Sequence, residues 1–410
     1  MAMRILYFSQ YFPPEIGATQ TRAYEMASRL VKMGHHVTMI TEVPNHPKGI
    51  IRPEFRGRLF IRENMDGIDV IRVWVKTSTV KNFRNRILFY MSYMINALIS
   101  SIIVTRGAFD LIYATSPPLF VGGSALIASI LKRKPLVFEV RDLWPESAVA
   151  LNEISNPRYI ALATKLEEKC YRHARKIIVV TNGIYQRLVE RGIIENKLVL
   201  ITNGANVDLF QFRQDARSRT RNELGLNNKF VAIYAGIFGI AQGLDTIVKA
   251  ADRLGDKPEI FFLLIGEGPT KNTILDLISE FRLNNIQVLP EQAREDIPDY
   301  LSGSDVAIIP LKKLDIFKGA LPSKMFDAWA CERPLILSVD GEARRILDEV
   351  RGGVYVPPED PIKMAEAILN LSYSKINREQ MGLTGRAYTI KNYSRAAMAD
   401  KLESVLLEII

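Results

Sequence analysis

Short apolar runs alternate with helix-like stretches along almost the whole chain. Residues 176–180 and similar runs are continuous in Ile, Val and Leu, which is typical of strands buried on both faces of parallel sheets. The runs form two successive series, so we predict an α/β protein with two doubly wound, Rossmann-like parallel-sheet domains. The predicted strands are residues 4–8, 36–41, 68–74, 110–114, 135–140, 176–180 and 197–201, then 229–235, 259–265, 286–289, 305–310, 334–338 and 353–356.

The length of the chain fits this division, because 410 residues exceed what one hydrophobic core usually organises. A polar, Arg-rich stretch at 204–228 marks the seam, and a final helical pattern at 395–409 can fold back onto the first domain. We predict one domain from residues 1–206 with 390–410, and a second from residues 207–389. Ligands of such sheets bind at the carboxyl ends of strands, so the loops that follow strands are the informative ones.

Residues 318–336 carry the strongest functional signal. Leu321, Pro322, Ser323 and Lys324 run directly into a helical pattern, and Pro322 suits a first helical turn because its missing N–H needs no partner there. The free N–H groups and the positive end of the helix dipole form an anion site, to which Lys324 adds a full charge. Asp327, one turn further on, is placed to accept hydrogen bonds from ribose hydroxyls. The pattern therefore predicts a nucleotide-sugar site, and the alternative is an ordinary helix that starts near a proline.

Two glycine-rich turns of the second half follow predicted strands. Gly236 and Gly239 would let backbone amides face a phosphate, with Gln242 in the same loop, and Gly266 is a possible lining of the same site. Their spacing differs from the dinucleotide-binding fingerprint, which disfavours an NAD-dependent dehydrogenase.

The first half places charged groups at the ends of its strands. Glu139 lies near the end of the predicted buried strand 135–140, and Arg141 and Asp142 follow it. Charges at such a place are costly unless they meet a ligand or each other. Glu139 and Asp142 could orient or deprotonate a hydroxyl, with Arg141 as the electrostatic partner. The alternative is an Arg–Asp pair that holds the loop. Arg22, in the helix after the first strand, is either an anion-binding group or a solvated arginine.

Composition narrows the partners further. The net charge is +9 and the pI about 9.3, which favours an anionic ligand. The basic residues are spread along the chain without a zinc-finger pattern, so no nucleic acid is expected. The four histidines lack metal-ligand spacing and no Asp-x-Asp motif is present, so we expect no metal cofactor.

Residues 81–106 stand apart from the alternating pattern. Lys81, Arg84 and Arg86 precede a largely apolar stretch at 87–104, which Arg106 closes. The stretch is barely long enough to span a bilayer. We expect either an interfacial helix on an anionic membrane surface or a core helix that covers the first sheet, and both can hold together.

These motifs, in this order, resemble the family 4 retaining glycosyltransferases of GT-B fold. The resemblance covers essentially the whole chain and is closest to the branch that builds bacterial capsule and O-antigen, including N-acetyl-L-fucosamine transferases. It implies two domains that face a cleft, and retaining transfer of an N-acetylated hexose or deoxyhexose from a UDP-sugar. It also implies an undecaprenyl-diphosphate-linked or other lipid-linked saccharide as acceptor. The protein would then be cytoplasmic and peripheral on the inner face of the cell membrane.

The resemblance also implies roles for single residues. The donor base would lie against Leu289, Pro290 and Glu291, and the ribose on Asp327. The diphosphate would lie on the 321–324 loop and the helix tip, with Lys324 stabilising the departing UDP. Gly17, after the first strand, permits close approach of backbone to the donor, and Glu15 and Arg22 would meet the acceptor.

The chain departs from the family pattern at several positions. The usual pair of glutamates aligns with Gly319 and Asp327, and the usual Arg and Lys of the glycine-rich loop align with Ile237 and Gln242. The family histidine of the first domain is replaced by the segment with Arg141. Two further functions stay open: a UDP-sugar 2-epimerase of GT-B shape, and a non-catalytic scaffold that binds nucleotide sugars.

Overall fold

The computed structural model describes residues 2–15, 17–45, 48–80, 82–150 and 154–410. The chain forms two units. The first runs to Thr202 and takes up the chain again from Met398 to Ile410, and the second is Asn203–Ala397. The sequence placed these limits at 206/207 and 389/390.

The first unit is built on an eight-stranded sheet. Its strand order is β3-β4-β2-β1-β5-β6-β7-β8, and every neighbouring pair is parallel except β3 with β4. The strands are β1 (Arg4–Phe8), β2 (His36–Glu42), β3 (Phe60–Met65), β4 (Ile68–Val73), β5 (Leu111–Ser116), β6 (Leu136–Val140), β7 (Lys176–Val179) and β8 (Leu198–Leu200). The helices are α1 (Ala18–Lys32), α2 (Phe83–Ile103), α3 (Phe120–Lys132), α4 (Glu146–Ala150), α5 (Pro157–His173) and α6 (Asn182–Glu190).

The second unit is built on a six-stranded, wholly parallel sheet. Its order is β11-β10-β9-β12-β13-β14, and the prediction of two doubly wound sheets is confirmed. The strands are β9 (Phe230–Ala235), β10 (Ile260–Ile265), β11 (Ile286–Leu289), β12 (Val306–Pro310), β13 (Leu335–Ser338) and β14 (Gly353–Tyr355). The helices are α7 (Gln214–Glu223), α8 (Asp245–Arg253), α9 (Lys271–Glu280), α10 (Ile297–Gly303), α11 (Ser323–Ala330), α12 (Glu342–Val350), α13 (Pro361–Tyr373), α14 (Lys375–Asn392) and α15 (Arg395–Leu407), which continues into the first unit.

The strand β3 is absent from the strands predicted from sequence. It is an antiparallel edge strand joined to β4 through Asp66 and Gly67, whose φ angles are 50° and 84°. Two positive φ angles are what a two-residue hairpin turn of type I′ requires, and Asp-Gly is its usual sequence. The signal was therefore present, but β3 alternates between exposed and half-buried residues and so lacks the continuous apolar run of the other strands.

Each sheet has an apolar core on both of its faces. Successive residues of β1 point to opposite faces, so that Leu6 and Phe8 join one core of the first unit while Ile5 and Tyr7 join the other. Leu402, on the part of α15 that belongs to the first unit, packs in the core that contains Ile5 and Tyr7. The two cores of the second unit consist of its own residues, so each unit has an interior of its own.

A short bridge joins the two ends of the second unit, and we call it the latch. The N–H of Ala205 donates to the carbonyl of Tyr393 (2.9 Å), and the N–H of Arg395 donates back to the carbonyl of Ala205 (3.0 Å). The Nε of Arg395, which is buried, donates to the carbonyl of Gly204 (2.7 Å). A Cβ at Gly204 would lie 2.2 Å from the carbonyl oxygen of Tyr393. A glycine at position 204 is thus required by the close approach of a second backbone.

Candidate functional site

Three neighbouring strands of the second unit end together. Ile265 of β10 pairs with Ala235 of β9 on one side and with Leu289 of β11 on the other. The residues that follow these strands therefore lie at one sheet edge. Gly236 donates its N–H to the carbonyl of Ile265 (2.9 Å), and Gly266 donates to that of Leu289 (3.1 Å). This is the carboxyl edge, where ligands of doubly wound sheets bind.

Gly236 and Gly266 let backbone and side chain approach closely at this edge. Gly236 has a φ of 146°, and a Cβ on it would lie 2.1 Å from the Cε atom of Lys324. Gly266 has a φ of 154°, and a Cβ there would lie 1.9 Å from the carbonyl oxygen of Gly236. Neither position can accept a larger residue without moving the loop or Lys324. The structure therefore brings together two of the predicted glycines and the predicted lysine.

Lys324 is a partly buried cation whose hydrogen bond goes to a neutral group. Its Nζ donates to the hydroxyl of Tyr234 (3.0 Å) and lies 4.8 Å from the centre of that ring. Burial lowers the pKa of Lys324 to about 8, while the charge of Asp327 acts in the opposite direction. An anion stabilises such a cation more than it stabilises a fully hydrated one, because burial has already removed part of the water that would compete with the anion.

Lys324 and Asp327 both lie on α11 and line one small cavity. The cavity measures about 40 Å³, and its other walls are apolar side chains such as Ile233, Ala235 and Leu301. The helix begins at Ser323 with Pro322 at the N-cap position, one residue later than the sequence predicted, and no side chain caps its N-terminus. The first N–H groups of α11 therefore have no side-chain acceptor, which suits an anionic ligand.

The remaining predicted donor groups of this unit lie around the same sheet edge. Leu289 ends β11, and the carbonyl of Pro290 after it accepts a hydrogen bond from the Nε2 of Gln292 (3.0 Å). Burial and then the charge of Glu267 raise the pKa of Glu291. Leu321 is buried, and Gly239 lies beside the side chain of Gln242.

In the first unit, Glu139 and Arg22 form a buried ion pair. The Nε of Arg22 donates to Oε1 of Glu139 (2.5 Å), and the hydroxyl of Tyr113 donates to Oε2 (2.8 Å). The other nitrogens of Arg22 donate to the carbonyls of Thr202 and Ile201 (2.8 and 2.9 Å). Arg22 is thus neither the solvated arginine nor an open anion site, since it ties α1 to the chain after β8. Its predicted contact with an acceptor, like the catalytic role of Glu139, stays a prediction.

Asp142 and Arg141 follow β6 at the carboxyl edge of the first sheet. The hydroxyl of Ser147 donates to Oδ2 of Asp142 (2.7 Å), and the N–H of Arg141 donates to the carbonyl of Ser116 (3.0 Å). Both residues are partly buried. Ser147 therefore holds the partly buried carboxylate of Asp142 in position, which is what a group that orients a hydroxyl needs.

Glu42 is a buried carboxylate close to the predicted site residue Glu15, and it was not predicted from the sequence. Oε1 of Glu15 accepts from the backbone N–H of Asn45 (2.7 Å), while the Nδ2 of the same asparagine donates to Oε1 of Glu42 (2.8 Å). Gln10 donates to the other oxygen of Glu42 (2.8 Å). Burial and then the charge of Glu15 raise the pKa of Glu42 well above its ordinary value. Glu42 could have been found from the sequence, because it is a charged residue at the end of a mostly buried strand, β2.

Gly17 lies at the N-terminus of α1, apart from the glycines of the second unit in sequence. Its φ is 158°, and a Cβ there would lie 2.5 Å from Oε1 of Gln20. Within the described ranges, no cluster of three or more His, Cys, Asp or Glu side chains is placed to hold a metal ion.

Comparison with known proteins gives this arrangement a family. The family model described as "Glycosyl transferase 4-like domain" matches residues 17–204, and the one described as "Glycosyl transferases group 1" matches residues 216–388. The two matches together cover most of the chain and follow its two units. The chain belongs to the glycosyltransferases that combine a glycosyl transferase 4-like domain with a glycosyl transferases group 1 domain.

Individual relatives agree with this assignment. The glycosyltransferase is 25% identical over 353 residues to the putative colanic acid biosynthesis glycosyl transferase WcaI of Escherichia coli, covering 83% of this chain and 82% of that protein. It is 21% identical over 426 residues to the alpha-monoglucosyldiacylglycerol synthase of Acholeplasma laidlawii, covering 100% and 98% of the two chains. HepE of Anabaena, solved in complex with UDP-glucose, superposes with a TM-score of 0.76 at 17% identity over 99% and 100% of the two chains. The fold is GT-B.

Proposed function

We propose that this glycosyltransferase moves an N-acetylated hexose or deoxyhexose from a UDP-sugar to a lipid-linked saccharide, with retention at the anomeric carbon and without a metal. The observation that carries the proposal is the position of Lys324. It combines a partly buried ammonium group, an uncapped helix N-terminus and the carboxylate of Asp327 in one place. A nucleoside diphosphate sugar needs a cation and backbone donors for its phosphates and an acceptor for its sugar hydroxyls.

The relatives support the choice of donor and product class. HepE is solved with UDP-glucose, and WcaI is named for colanic acid biosynthesis. For this chain we infer a UDP-sugar donor and a product in cell-surface polysaccharide or O-antigen synthesis, on the N-acetyl-L-fucosamine transferase-like branch. The synthase from Acholeplasma is named for a diacylglycerol product, and we infer a lipid-linked acceptor here as well, used at the cytoplasmic face of the membrane.

The mechanism we propose divides the work between the two units. In the second unit, Lys324 and the first N–H groups of α11 stabilise the negative charge that develops on departing UDP. Asp327 accepts hydrogen bonds from the ribose, and the segment with Glu291 receives the base. In the first unit, Asp142 orients the acceptor hydroxyl. The Arg22–Glu139 pair holds the backbone of residues 201 and 202 in position. In place of a metal, the positive charge for the diphosphate comes from Lys324 and the helix terminus.

The first experiment compares nucleotide binding of three forms of the protein in the presence of chelator. The full-length enzyme should bind UDP and one UDP-sugar in preference to GDP, ADP and NAD. Lys324→Ala should weaken UDP binding about 10- to 100-fold, as expected for loss of a hydrogen bond to a charged group. Lys249→Ala removes an exposed lysine paired with Asp245 and should leave binding unchanged. Isothermal titration calorimetry gives all three dissociation constants.

Turnover then separates the alternatives. A glycosylated acceptor with the donor's anomeric configuration, observed by mass spectrometry and NMR, is the expected product. Conversion of the donor sugar without an acceptor would indicate the 2-epimerase, and UDP binding without turnover of any acceptor would indicate the scaffold. Binding of NAD but of no uridine nucleotide would contradict the proposal altogether.

A further inference from the structure

One side of α2 is fixed to the sheet of the first unit. Tyr93 and Ala97 are fully buried, and the hydroxyl of Tyr93 donates to the carbonyl of Ile40 (2.9 Å). The Nδ2 of Asn96 donates to the carbonyl of Trp74 (2.7 Å). Among the described residues, one helix is long and apolar enough to cross a membrane, and that helix is α2. Only 22% of its most apolar 18-residue stretch is buried. Because these contacts hold α2 against the sheet, it cannot cross a bilayer without leaving its own core.

The opposite side of α2 exposes a stripe of isoleucines. Ile95, Ile99 and Ile102 follow helical spacing and are 49%, 45% and 49% exposed, and Ile103 is 67% exposed. Helix α3 exposes three more large aliphatic side chains of the same kind. The isoleucine face consists of Ile95, Ile99, Ile102, Ile103, Ile127, Ile130 and Leu131. Apolar surface of this extent on an otherwise folded unit marks a site of interaction.

The two helices present this face as one surface. Gly123 of α3 lets α2 approach closely, because a Cβ there would lie 2.6 Å from the Sδ atom of Met94. The ends of the helices are also joined, since Lys132 donates to the hydroxyl of Thr105 (3.5 Å). Both helices pack on the same apolar core, so their exposed sides point away from the same face of the sheet.

Basic residues frame the isoleucine face at both ends of α2. Arg84 and Arg86 lie at its start, while Arg106 and the run 132–134 lie at its end. Between residues 70 and 138 the sequence holds a single acidic residue, Asp110, whose Oδ2 accepts from the N–H of Arg4 (2.7 Å). Lys81, which belongs to the same predicted segment, lies outside the described residues. An apolar stripe with cations at both ends matches acyl chains bordered by anionic headgroups.

We propose that the isoleucine face binds an anionic lipid membrane, with α2 and α3 lying in the plane of the interface and neither helix crossing it. A second copy of the chain is a poorer occupant, because cations bordering the face would then meet the cations of the partner. The role of this membrane binding rests on the proposed function: it would hold the enzyme where lipid-linked acceptors are displayed. Lipid binding itself requires neither donor nor acceptor.

The test is co-sedimentation of the full-length protein with vesicles in the absence of nucleotide. Vesicles of phosphatidylglycerol and phosphatidylcholine should bind the protein at least 10-fold better than phosphatidylcholine alone, and salt should weaken the binding. Ile103→Asn with Leu131→Asn should lower binding at least 10-fold. The matched control is Ile376→Asn with Leu383→Asn, which removes two exposed apolar side chains of the second unit and should bind as the unchanged protein does.

A second variant covers the case in which the asparagine pair disturbs folding. Arg133→Glu with Lys134→Glu changes charge without removing any apolar side chain of the isoleucine face, and should also lower binding to anionic vesicles at least 10-fold. Equal binding to both kinds of vesicle, or equal loss in the control pair, would overturn the proposal. So would a change from dimer to monomer in the Ile103 and Leu131 variant with unchanged vesicle binding, since the face would then join two copies. UDP binding of the same variants tests the proposed function separately.

Discussion

The ammonium group of Lys324 makes donor binding depend on pH. Its pKa is lowered to about 8 by burial, so most molecules carry the charge at pH 7 and few carry it at pH 9.5. The phosphates of UDP are fully ionised across this range, because the second pKa of a phosphate lies near 6. A change in affinity above pH 7 therefore does not come from the phosphates. The uracil ring of UDP also loses its N3 proton near the top of this range, and this loss affects the unchanged protein and a Lys324 variant alike.

We expect the affinity for UDP to fall about 10- to 30-fold between pH 7 and 9.5, because protonated Lys324 is lost as the pH rises through its pKa. Calorimetric titration at several pH values measures this fall. Lys324→Arg should remove the part of the pH dependence that comes from Lys324, since a guanidinium stays charged throughout, and should keep only the part that comes from uracil. A flat profile for the unchanged protein would show that the charge of Lys324 does not contribute to binding.

Residues that act through distant partners were the least predictable part of the site. The 321–327 segment could be identified because its chemistry is local: a proline, a lysine and an aspartate at helical spacing. The pairing of Arg22 with Glu139 joins residues 117 positions apart, and no local pattern encodes it. The same is true of Glu42, which is joined to Glu15 through Asn45, a residue 30 positions from Glu15.

At the scale of elements, the buried strands were predictable and the edge of the first sheet was not. A strand covered by helices on both sides must be apolar throughout, so its sequence is unmistakable. The edge strand β3 is exposed on alternate residues, and its apolar content is correspondingly low. The latch was not predictable either, because it joins residues 204–205 and 393–395, which lie at opposite ends of the second unit in sequence.

Gly204→Ala should open the latch. An added Cβ would lie 2.2 Å from the carbonyl oxygen of Tyr393, and relieving such overpacking costs about 1–3 kcal/mol. We expect faster hydrogen exchange at the amides of Ala205 and Arg395, measured by mass spectrometry, and a lower free energy of unfolding for the second unit.

The control for this prediction is Gly255→Ala. Gly255 is an exposed glycine whose added Cβ would meet its nearest atom at 3.2 Å. It should leave exchange at the latch unchanged. Equal exchange in both variants would mean that the bonds between residues 204–205 and 393–395 do not hold the two segments together.

For the whole molecule, the decisive property is that each unit has its own cores. The four apolar clusters divide two and two between the units, and the second unit is one continuous piece of chain, Asn203–Ala397. A segment with its own buried cores on both faces of a sheet satisfies the main requirement for folding alone. Of the proposed donor-binding groups, only Gly17 lies outside it.

The fragment of residues 203–397 should therefore fold and bind UDP within about 10-fold of the affinity of the full chain, because the loss of one backbone contact is worth about 1 kcal/mol. It should transfer no sugar, since Asp142 and the other proposed acceptor groups lie in the first unit. Calorimetry and circular dichroism test both points, and Lys324→Ala in the fragment should weaken binding as it does in the full chain. A folded fragment that fails to bind UDP, beside a full chain that binds it, would place essential donor contacts in the first unit and contradict the proposed division of work.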